Sequence, residues 1–335
     1  MWEGSAHAAR RDIAALASAG LGVAELHAAA IDIVDRVVPT ELTCWASMDP
    51  DTTVISSMTS GSVRIPQEYE PVLATSEYSG TEPHTFADLA QRSNPVARLS
   101  DLPMNARGLR FNEVWRPLGL SHEVRAVFRV DGACWGAAGL VRQGDFTDRE
   151  VEFLAAIAPT LATATRVAAR CAPEPATLDP AIVIVGEDLT PRATTAAAAA
   201  WQAELDEIAP GRFLVMLRVV AVGAQSTGTF RARIRDANEG WILLQASKLI
   251  SDTTTETVVT IERASGADLM PLLFAAYGLT PREREICHEL ITGGTTTEIA
   301  ARLTITPRTL QDHLKSIFTK LNVHSRAALT AKLRP

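Results

Sequence analysis

The segment 278–335 carries the most regular hydrophobic pattern of the chain. Its apolar residues recur every three or four positions in short runs, which predicts amphipathic helices. Thr280 with Glu283, and Thr295 with Glu298, have the spacing of a capping box, in which threonine and glutamate side chains bond each other's backbone amides. The pattern therefore predicts two helices that begin at these positions, with a glycine stop between them.

A third helix is predicted to begin at Thr306, with Pro307 at its first position. Its apolar face consists of Leu310, Leu314, Ile317, Phe318 and Leu321. Its opposite, polar face consists of Arg308, Gln311, Asp312, Lys315 and Thr319. Two short helices joined by a tight turn are typical of a helix-turn-helix, whose second helix reads the major groove of DNA. For the polar face alone, an ordinary solvated helix surface is the alternative.

The same segment resembles the LuxR-type helix-turn-helix. The resemblance rests on 279–286, on 298–303 and on 309–326, without a gap. It implies a four-helix domain that binds double-stranded DNA. Gln311 and Asp312 stand where members of this family commonly place base-contacting residues, so these two positions bear on the preferred DNA sequence.

The polar face and the resemblance together predict a set of DNA contacts. The residues expected near base edges are Arg308, Gln311, Asp312 and Lys315. The residues expected to hold phosphates are Thr306, Thr309, Lys320 and Arg326. Phosphate contacts fix the register of a protein on DNA, whereas base contacts specify the sequence.

The segment 1–171 mixes helical and strand patterns. The predicted elements are a helix over 23–38, strands over 42–48 and 53–58, irregular helical stretches near 85–91 and 111–116, a hairpin of 123–130 and 133–142, and a helix over 148–170. Asp131 and Gly132, between the hairpin strands, are a strong two-residue turn signal. This order resembles that of a GAF-like sensor domain, which implies a small ligand.

A proline-rich stretch, 172–177, is predicted to be a linker. The following segment, 178–263, shows two strands, two helices and three further strands, an order that resembles a PAS-like domain. A plain α+β dimerisation domain is the alternative. The segment 264–277 is predicted to be a helical connector. The predicted fold class is therefore two α+β domains with antiparallel sheets, followed by an all-α helix-turn-helix domain.

Composition and charge place the chain among soluble globular proteins. Hydrophobic residues make up 47% and charged residues 21% of the chain, and the formal net charge is −7. The segment 278–335 nevertheless carries nine Lys and Arg against five Asp and Glu. A basic module on an acidic body keeps phosphate binding local. We expect a bacterial, cytoplasmic protein, because alanine and arginine are abundant and the first twenty residues lack a signal-peptide pattern.

Candidate ligand and redox residues lie in the first predicted domain. Trp45, Trp115 and Trp135, beside the small residues of 136–139, predict a small-ligand pocket. A close helix-on-sheet contact is the alternative explanation of the small residues. Cys44 alternates with apolar residues of one strand face, so we expect a core role for it, with a redox or haem site as the alternative.

No residue pattern indicates catalysis. A phosphate-binding glycine loop, a nucleophile elbow and metal-ligand spacing are all missing from the sequence, so we expect neither an enzyme nor a cofactor nor a metal. The expected function is a transcription regulator that forms a homodimer, through its last helix or the helix over 148–170, and responds to a small-molecule effector. The alternatives are a protein-interaction scaffold and a small-molecule enzyme, each with an accessory DNA-binding tail.

Overall fold

The computed structural model describes residues 2–78, 80–170, 178–250 and 255–333. The chain divides into two compact units, Met1–Arg263 and Ala264–Pro335. The predicted linker, 172–177, lies outside the described residues.

The first domain of the first unit is an antiparallel sheet with helices on both faces. Its elements are α1 (Trp2–Leu16), α2 (Val23–Asp35), β1 (Leu42–Met48), β2 (Ile55–Ser60), α3 (Glu70–Tyr78), α4 (Phe86–Gln91), β3 (Val96–Arg98), α5 (Gly108–Arg110) with a π-helical turn over Phe111–Trp115, β4 (His122–Val130), β5 (Ala133–Arg142) and α6 (Asp148–Ala168). Short 3-10 turns cover Gln67–Tyr69, Leu99–Asp101 and Met104–Ala106.

The five strands of this sheet lie in the order β2-β1-β5-β4-β3. The β4–β5 hairpin turns at Asp131 and Gly132, which have φ angles of 53° and 77°. Two consecutive positive φ values suit the twist of a two-residue hairpin, and this is why an Asp-Gly pair occupies the turn. On the face covered by α1, α2 and α6, the rings of Trp45 and Phe128 pack 5.1 Å apart in the core.

The second domain is another five-stranded antiparallel sheet. Its elements are β6 (Ala181–Val185), β7 (Pro191–Thr194), α7 (Ala198–Ile208), α8 (Arg212–Thr227), β8 (Thr229–Arg235), β9 (Trp241–Ile250) and β10 (Thr255–Arg263). The strand order is β7-β6-β10-β9-β8. Ile242, Leu244 and Ala246 alternate along β9 and pack with Trp201 of α7 and Leu217 of α8 in one core.

The second unit is all-helical. Its elements are α9 (Gly266–Ala276), α10 (Pro281–Thr292), α11 (Thr296–Arg302), α12 (Pro307–Leu321) and α13 (Arg326–Leu333). Ile286, Ile299, Leu310, Ile317 and Leu329 are buried in its core. The predicted fold class, two α+β domains followed by an all-α helix-turn-helix domain, is confirmed. The GAF-like and PAS-like assignments stay predictions.

Several elements differ from the sequence-based expectation. Helices α1 and α3 and the short strand β3 were not predicted. Among the described residues, α6 is the one helix whose length and apolar composition would suit a membrane span, and half of that stretch is buried inside the protein. A core helix of a globular domain has the same length, composition and burial.

Candidate nucleic-acid interface and candidate ligand cavity

The helix starts of the second unit are fixed by side-chain caps. The hydroxyl of Thr280 accepts a hydrogen bond from the amide of Glu283 at 3.3 Å, and the amide of Thr280 donates to the carboxylate of Glu283 at 2.7 Å. Thr295 and Glu298 form the same reciprocal pair at the start of α11. Gly293, with a φ of 96°, ends α10 in a conformation that side chains disfavour. Both predicted capping boxes are thus present.

Helix α12 presents one polar face outside the core. Leu310, Ile317 and Leu321 are buried on its other face. The outward residues are all exposed: Arg308, Gln311, Asp312, Lys315 and Thr319. Helical rise is 1.5 Å per residue, so the stretch from Arg308 to Lys315 is about 10 Å long, which suits three or four base pairs in a major groove.

Two charges on this face form a weak contact with each other. The side chains of Lys315 and Asp312 are 80% and 66% exposed, and their closest atoms, Nζ and Oδ1, are 3.5 Å apart. An exposed ion pair of this geometry contributes little stability. Lys315 can therefore turn toward another anion at small cost.

The two threonines at the start of α12 bond each other. The hydroxyl of Thr306 accepts the amide of Thr309 at 3.1 Å and lies 2.8 Å from the hydroxyl of Thr309. Both residues are exposed. The cap leaves the N-terminal turn of α12 open to solvent, where backbone amides and the helix dipole favour anions.

Lys320, a predicted phosphate contact, forms bonds within the domain. Its ammonium group donates to the carboxylate of Glu283 at 2.6 Å and to the carbonyl of Gly278 at 3.0 Å. These bonds tie α12 to the start of α10, so Lys320 belongs to the framework of the domain. Arg326, the other predicted phosphate contact near α13, donates to the carbonyl of Gly294 at 2.6 Å and remains partly exposed.

Glu283 is the centre of this framework. Its other oxygen accepts the hydroxyl of Ser316 at 2.7 Å, and its side chain is only 4% exposed. Although burial acts in the opposite direction, the bonds from Lys320, Ser316 and Thr280 lower the pKa of Glu283 to about 2. The carboxylate is therefore charged throughout the physiological range and holds α10 against α12.

A second candidate site is a cavity of about 420 Å³ in the first unit. It lies between the first-domain sheet and the start of α8 in the second domain. Its walls are largely apolar and include Leu42, Ile65, Leu73, Val141, Val215 and Met216. Small-molecule sites have this size and this mainly apolar lining, with few polar groups.

A buried ion network forms part of the cavity wall. Arg125 donates to Glu77 at 2.7 Å, and Nε of Arg110 lies 2.9 Å and 3.1 Å from the two oxygens of Glu123. Glu82 lies 3.4 Å from Arg110. Each of these charges has an opposite partner, as buried charges require.

Arg212, at the first position of α8, differs from Arg110 and Arg125 in its hydrogen-bond partners. It is 8% exposed and lines the cavity. Its Nη2 group donates to the carbonyls of Ser56 at 2.8 Å and Arg235 at 3.2 Å, while its Nε group has no acceptor among the described residues. Burial lowers the pKa of Arg212 to about 10.

The structure does not bring the three predicted ligand-binding tryptophans together. Trp115 lines the cavity, and its indole nitrogen has no acceptor in the described part of the chain. Trp45 lies instead in the core on the other face of the sheet, 5.8 Å from the ring of His27. Trp135 is buried away from the cavity wall.

Cys44 lies on the cavity wall with its sulfur 3.8 Å from the hydroxyl of Ser60. Burial raises the pKa of the Cys44 thiol to about 11, so the unreactive thiol form predominates at neutral pH. Among residues 2–78, 80–170, 178–250 and 255–333, no group of three His, Cys, Asp or Glu could hold a metal ion.

Comparison with known proteins places the second unit in a family. Residues 278–333 match the family model "Bacterial regulatory proteins, luxR family". Together with the caps and the exposed face of α12, this match shows that the C-terminal domain is a LuxR-family helix-turn-helix domain.

Two curated relatives match a short stretch of the chain. Over 52 residues the chain is 42% identical to a nitrate/nitrite response regulator protein homologue of Haemophilus influenzae and also 42% identical to the nitrate/nitrite response regulator protein NarP of Escherichia coli. The matches cover 16% of this chain and 25% and 24% of the two relatives. The chain thus spans about a quarter of the length of the curated relatives that it matches.

Solved structures of VqmA also align with the chain. The Vibrio cholerae VqmA dimer without target DNA aligns at 11% identity with a TM-score of 0.22, over 46% of this chain and 81% of VqmA. Its complex with ligand and DNA aligns over the same shares at 12% identity and a TM-score of 0.23. Scores this low support no assignment of fold or function.

Proposed function

We propose that the chain is a cytoplasmic bacterial transcription regulator that binds specific double-stranded DNA sequences as a homodimer. The observation that carries this proposal is the exposed polar face of α12 on a LuxR-family helix-turn-helix domain. Capped helices, a buried core beneath α12 and the Glu283–Lys320 pair hold that face rigidly. A rigid reading helix needs little ordering when it binds.

Base reading is assigned to the middle of the face. Gln311 can pair with the N6 and N7 atoms of adenine, and Asp312 can accept from the amino group of cytosine. Lys315 and Arg308 can donate to guanine, and Arg308 can also reach the backbone. Because these side chains pair with different bases, we predict an operator that contains both A·T and G·C base pairs.

Phosphate anchoring is assigned to the ends of the helix-turn-helix. Thr306 and Thr309 lie at the N-terminus of α12, where hydroxyls and free backbone amides can meet a phosphate. Arg326 keeps exposed surface while it donates to Gly294. Lys320 is left out of this set because its partners lie within the domain.

The first unit is proposed as the sensory body. Its cavity can enclose a small effector, and the cavity walls come from both α+β domains. A ligand that binds one arrangement of these domains better than another would shift the population of states available to the DNA-binding unit. Helix α6 and helix α13 are the proposed dimer surfaces.

Direct binding to a pooled random duplex tests the DNA-binding role. Fluorescence anisotropy would compare the full-length protein with the triple variant Arg308→Ala, Gln311→Ala and Lys315→Ala, each checked for folding by circular dichroism. A matched control is Lys248→Ala, an exposed lysine of the first unit. We expect salt-sensitive binding that the triple variant loses and the control retains. Equal binding by all three proteins would contradict the assigned face.

A further inference from the structure

Arg212 stands apart from the other buried arginines of the cavity wall. Arg110 and Arg125 both form ion pairs with glutamates, whereas no carboxylate oxygen of the described residues lies within 4 Å of the Arg212 guanidinium. Burying a charge without a counter-ion is unfavourable unless another group supplies the opposite charge. The cavity is where such a group can enter.

The hydrogen bonds of Arg212 use only part of its donor capacity. A guanidinium has five N–H groups, and the two on Nη2 serve the carbonyls of Ser56 and Arg235. Within the described part of the chain, Nε and Nη1 donate to no protein atom. The two carbonyls hold the guanidinium in place, so its remaining donors have a fixed position.

The other ionisable groups of the wall do not cancel the charge of Arg212. Glu77 and Glu123 are already paired. Glu70 forms no ion pair within 4 Å in the described part of the chain, so its one carboxylate faces two arginines, Arg212 and Arg64. Arg64 adds a further positive charge at the exposed side of the wall. The unpaired charge offered to a ligand is therefore predominantly cationic.

The rest of the cavity wall is apolar, so it favours a ligand whose main part is apolar. Leu42, Leu73, Val141 and Met216 line the cavity, together with Trp115. A carboxylate binds a guanidinium through charge-assisted hydrogen bonds, and Nη1 is the Arg212 donor left for one, because Nη2 is used and Nε is enclosed by protein. An apolar molecule with a single carboxylate matches both parts of the wall.

We propose that this cavity binds a small, largely apolar carboxylic acid and that Arg212 receives its carboxylate. The inference rests on the proposed sensory role of the first unit and gives the effector a chemical class. Arg212 opens α8 and also bonds β2 of the first domain and β8 of the second. Ligand binding at Arg212 would therefore act on the contact between the two domains.

The test compares carboxylates with their uncharged amides on the full-length protein. The probes are octanoate, 4-phenylbutyrate and indole-3-acetate, each beside its primary amide, with binding measured by calorimetry. We expect at least one acid to bind roughly 10-fold more tightly than its amide, since a charge-assisted bond is about twice as strong as a neutral one. Equal binding of acid and amide, or no binding by any probe, would overturn the proposal.

Two variants locate the site. Arg212→Gln should abolish the preference for acid over amide, whereas Arg218→Gln, the same change six residues further along α8, should preserve it. Ala74→Phe, which narrows the cavity from a partly exposed position on α3, should weaken binding of the preferred acid by about 10-fold or more. If Ala74→Phe folds and binds normally, the acid is bound elsewhere. If Arg212→Gln fails to fold, the wild-type comparison and Ala74→Phe still decide the outcome.

DNA binding by the same preparation separates the two proposals. Protein that binds the pooled duplex but none of the acids overturns the ligand assignment and leaves the regulator role intact. Protein that binds an acid through Arg212 but never binds DNA overturns the regulator role and leaves the cavity assignment intact.

Discussion

Asp49 and Arg233, 184 positions apart in the chain, form a buried two-point ion pair. Nε of Arg233 lies 2.8 Å from one oxygen of Asp49, and Nη2 lies 2.7 Å from the other. Asp49 directly follows β1 of the first domain, whereas Arg233 lies in β8 of the second. The pair therefore joins the two domains that form the walls of the cavity.

Removing the charge of Asp49 should loosen this contact. We expect Asp49→Asn to lower the free energy of unfolding of the first unit by about 2 kcal/mol, because Arg233 loses its buried carboxylate partner but keeps Asp51. Tryptophan fluorescence during urea denaturation measures this unit alone, since all six tryptophans precede residue 264. The matched control is Asp188→Asn, whose exposed pair with Arg192 should contribute little. Equal effects of the two changes would contradict a structural role for the buried pair.

The low pKa of Glu283 predicts acid sensitivity of the helix-turn-helix domain. Its pKa falls from an ordinary 4.5 to about 2 on folding, so the stabilisation is fully present above pH 4.5 and is lost as the pH falls toward 2. Glu283→Gln should remove this part of the pH dependence. Circular dichroism of the fragment 264–335, at pH values between 2 and 7, measures the change. Glu285→Gln, at an exposed position, should leave the profile unchanged.

Lys315 and Lys320 should respond differently to the same substitution. We expect Lys320→Ala to lower the thermal stability of the fragment, because it removes the bonds to Glu283 and Gly278. Lys315→Ala should leave stability unchanged but reduce the slope of log binding constant against log salt by about one unit. Melting curves and DNA titrations at several salt concentrations measure both quantities. An unchanged slope for Lys315→Ala would remove this residue from the interface.

Asp312 should influence which DNA sequence is chosen. Asp312→Asn removes a negative charge beside the DNA, so we expect tighter binding overall and a weaker preference at one base pair, by about 1–3 kcal/mol. Competition between the preferred duplex and its single-base variants measures the preference. Unaltered discrimination at every position would show that Asp312 does not read a base.

Local sequence signals were sufficient for the elements with strong start and stop residues. The bounds of β1, the Asp131–Gly132 turn and the caps at Thr280 and Thr295 all depend on residues within a few positions of each other. Helix α1 was missed because its buried face consists mainly of alanines, which give a weak hydrophobic pattern. Helix α3 lacked a strong pattern for a similar reason: its buried residues are Ser76 and Glu77.

The candidate sites depend on contacts between distant residues, which no local pattern encodes. Lys320 lies 37 positions from Glu283, and Arg212 lies 156 positions from Ser56. In the sequence alone, a polar residue on a helix is equally compatible with a contact to DNA and with a contact inside the domain. The local signal for the ion network was the pair Glu123 and Arg125, two charged residues among the apolar positions of strand β4.

Selection of binding sites from randomised duplexes tests the central claim most directly. The full-length protein and the fragment 264–335 would each be used, with bound duplexes sequenced at two salt concentrations. We predict a two-fold symmetric site for the full-length protein, with half-sites about 10 base pairs apart, and loss of enrichment in the triple variant at Arg308, Gln311 and Lys315. Failure of both proteins to enrich any sequence, or unchanged enrichment by the triple variant, would contradict a sequence-specific regulator that reads DNA through α12.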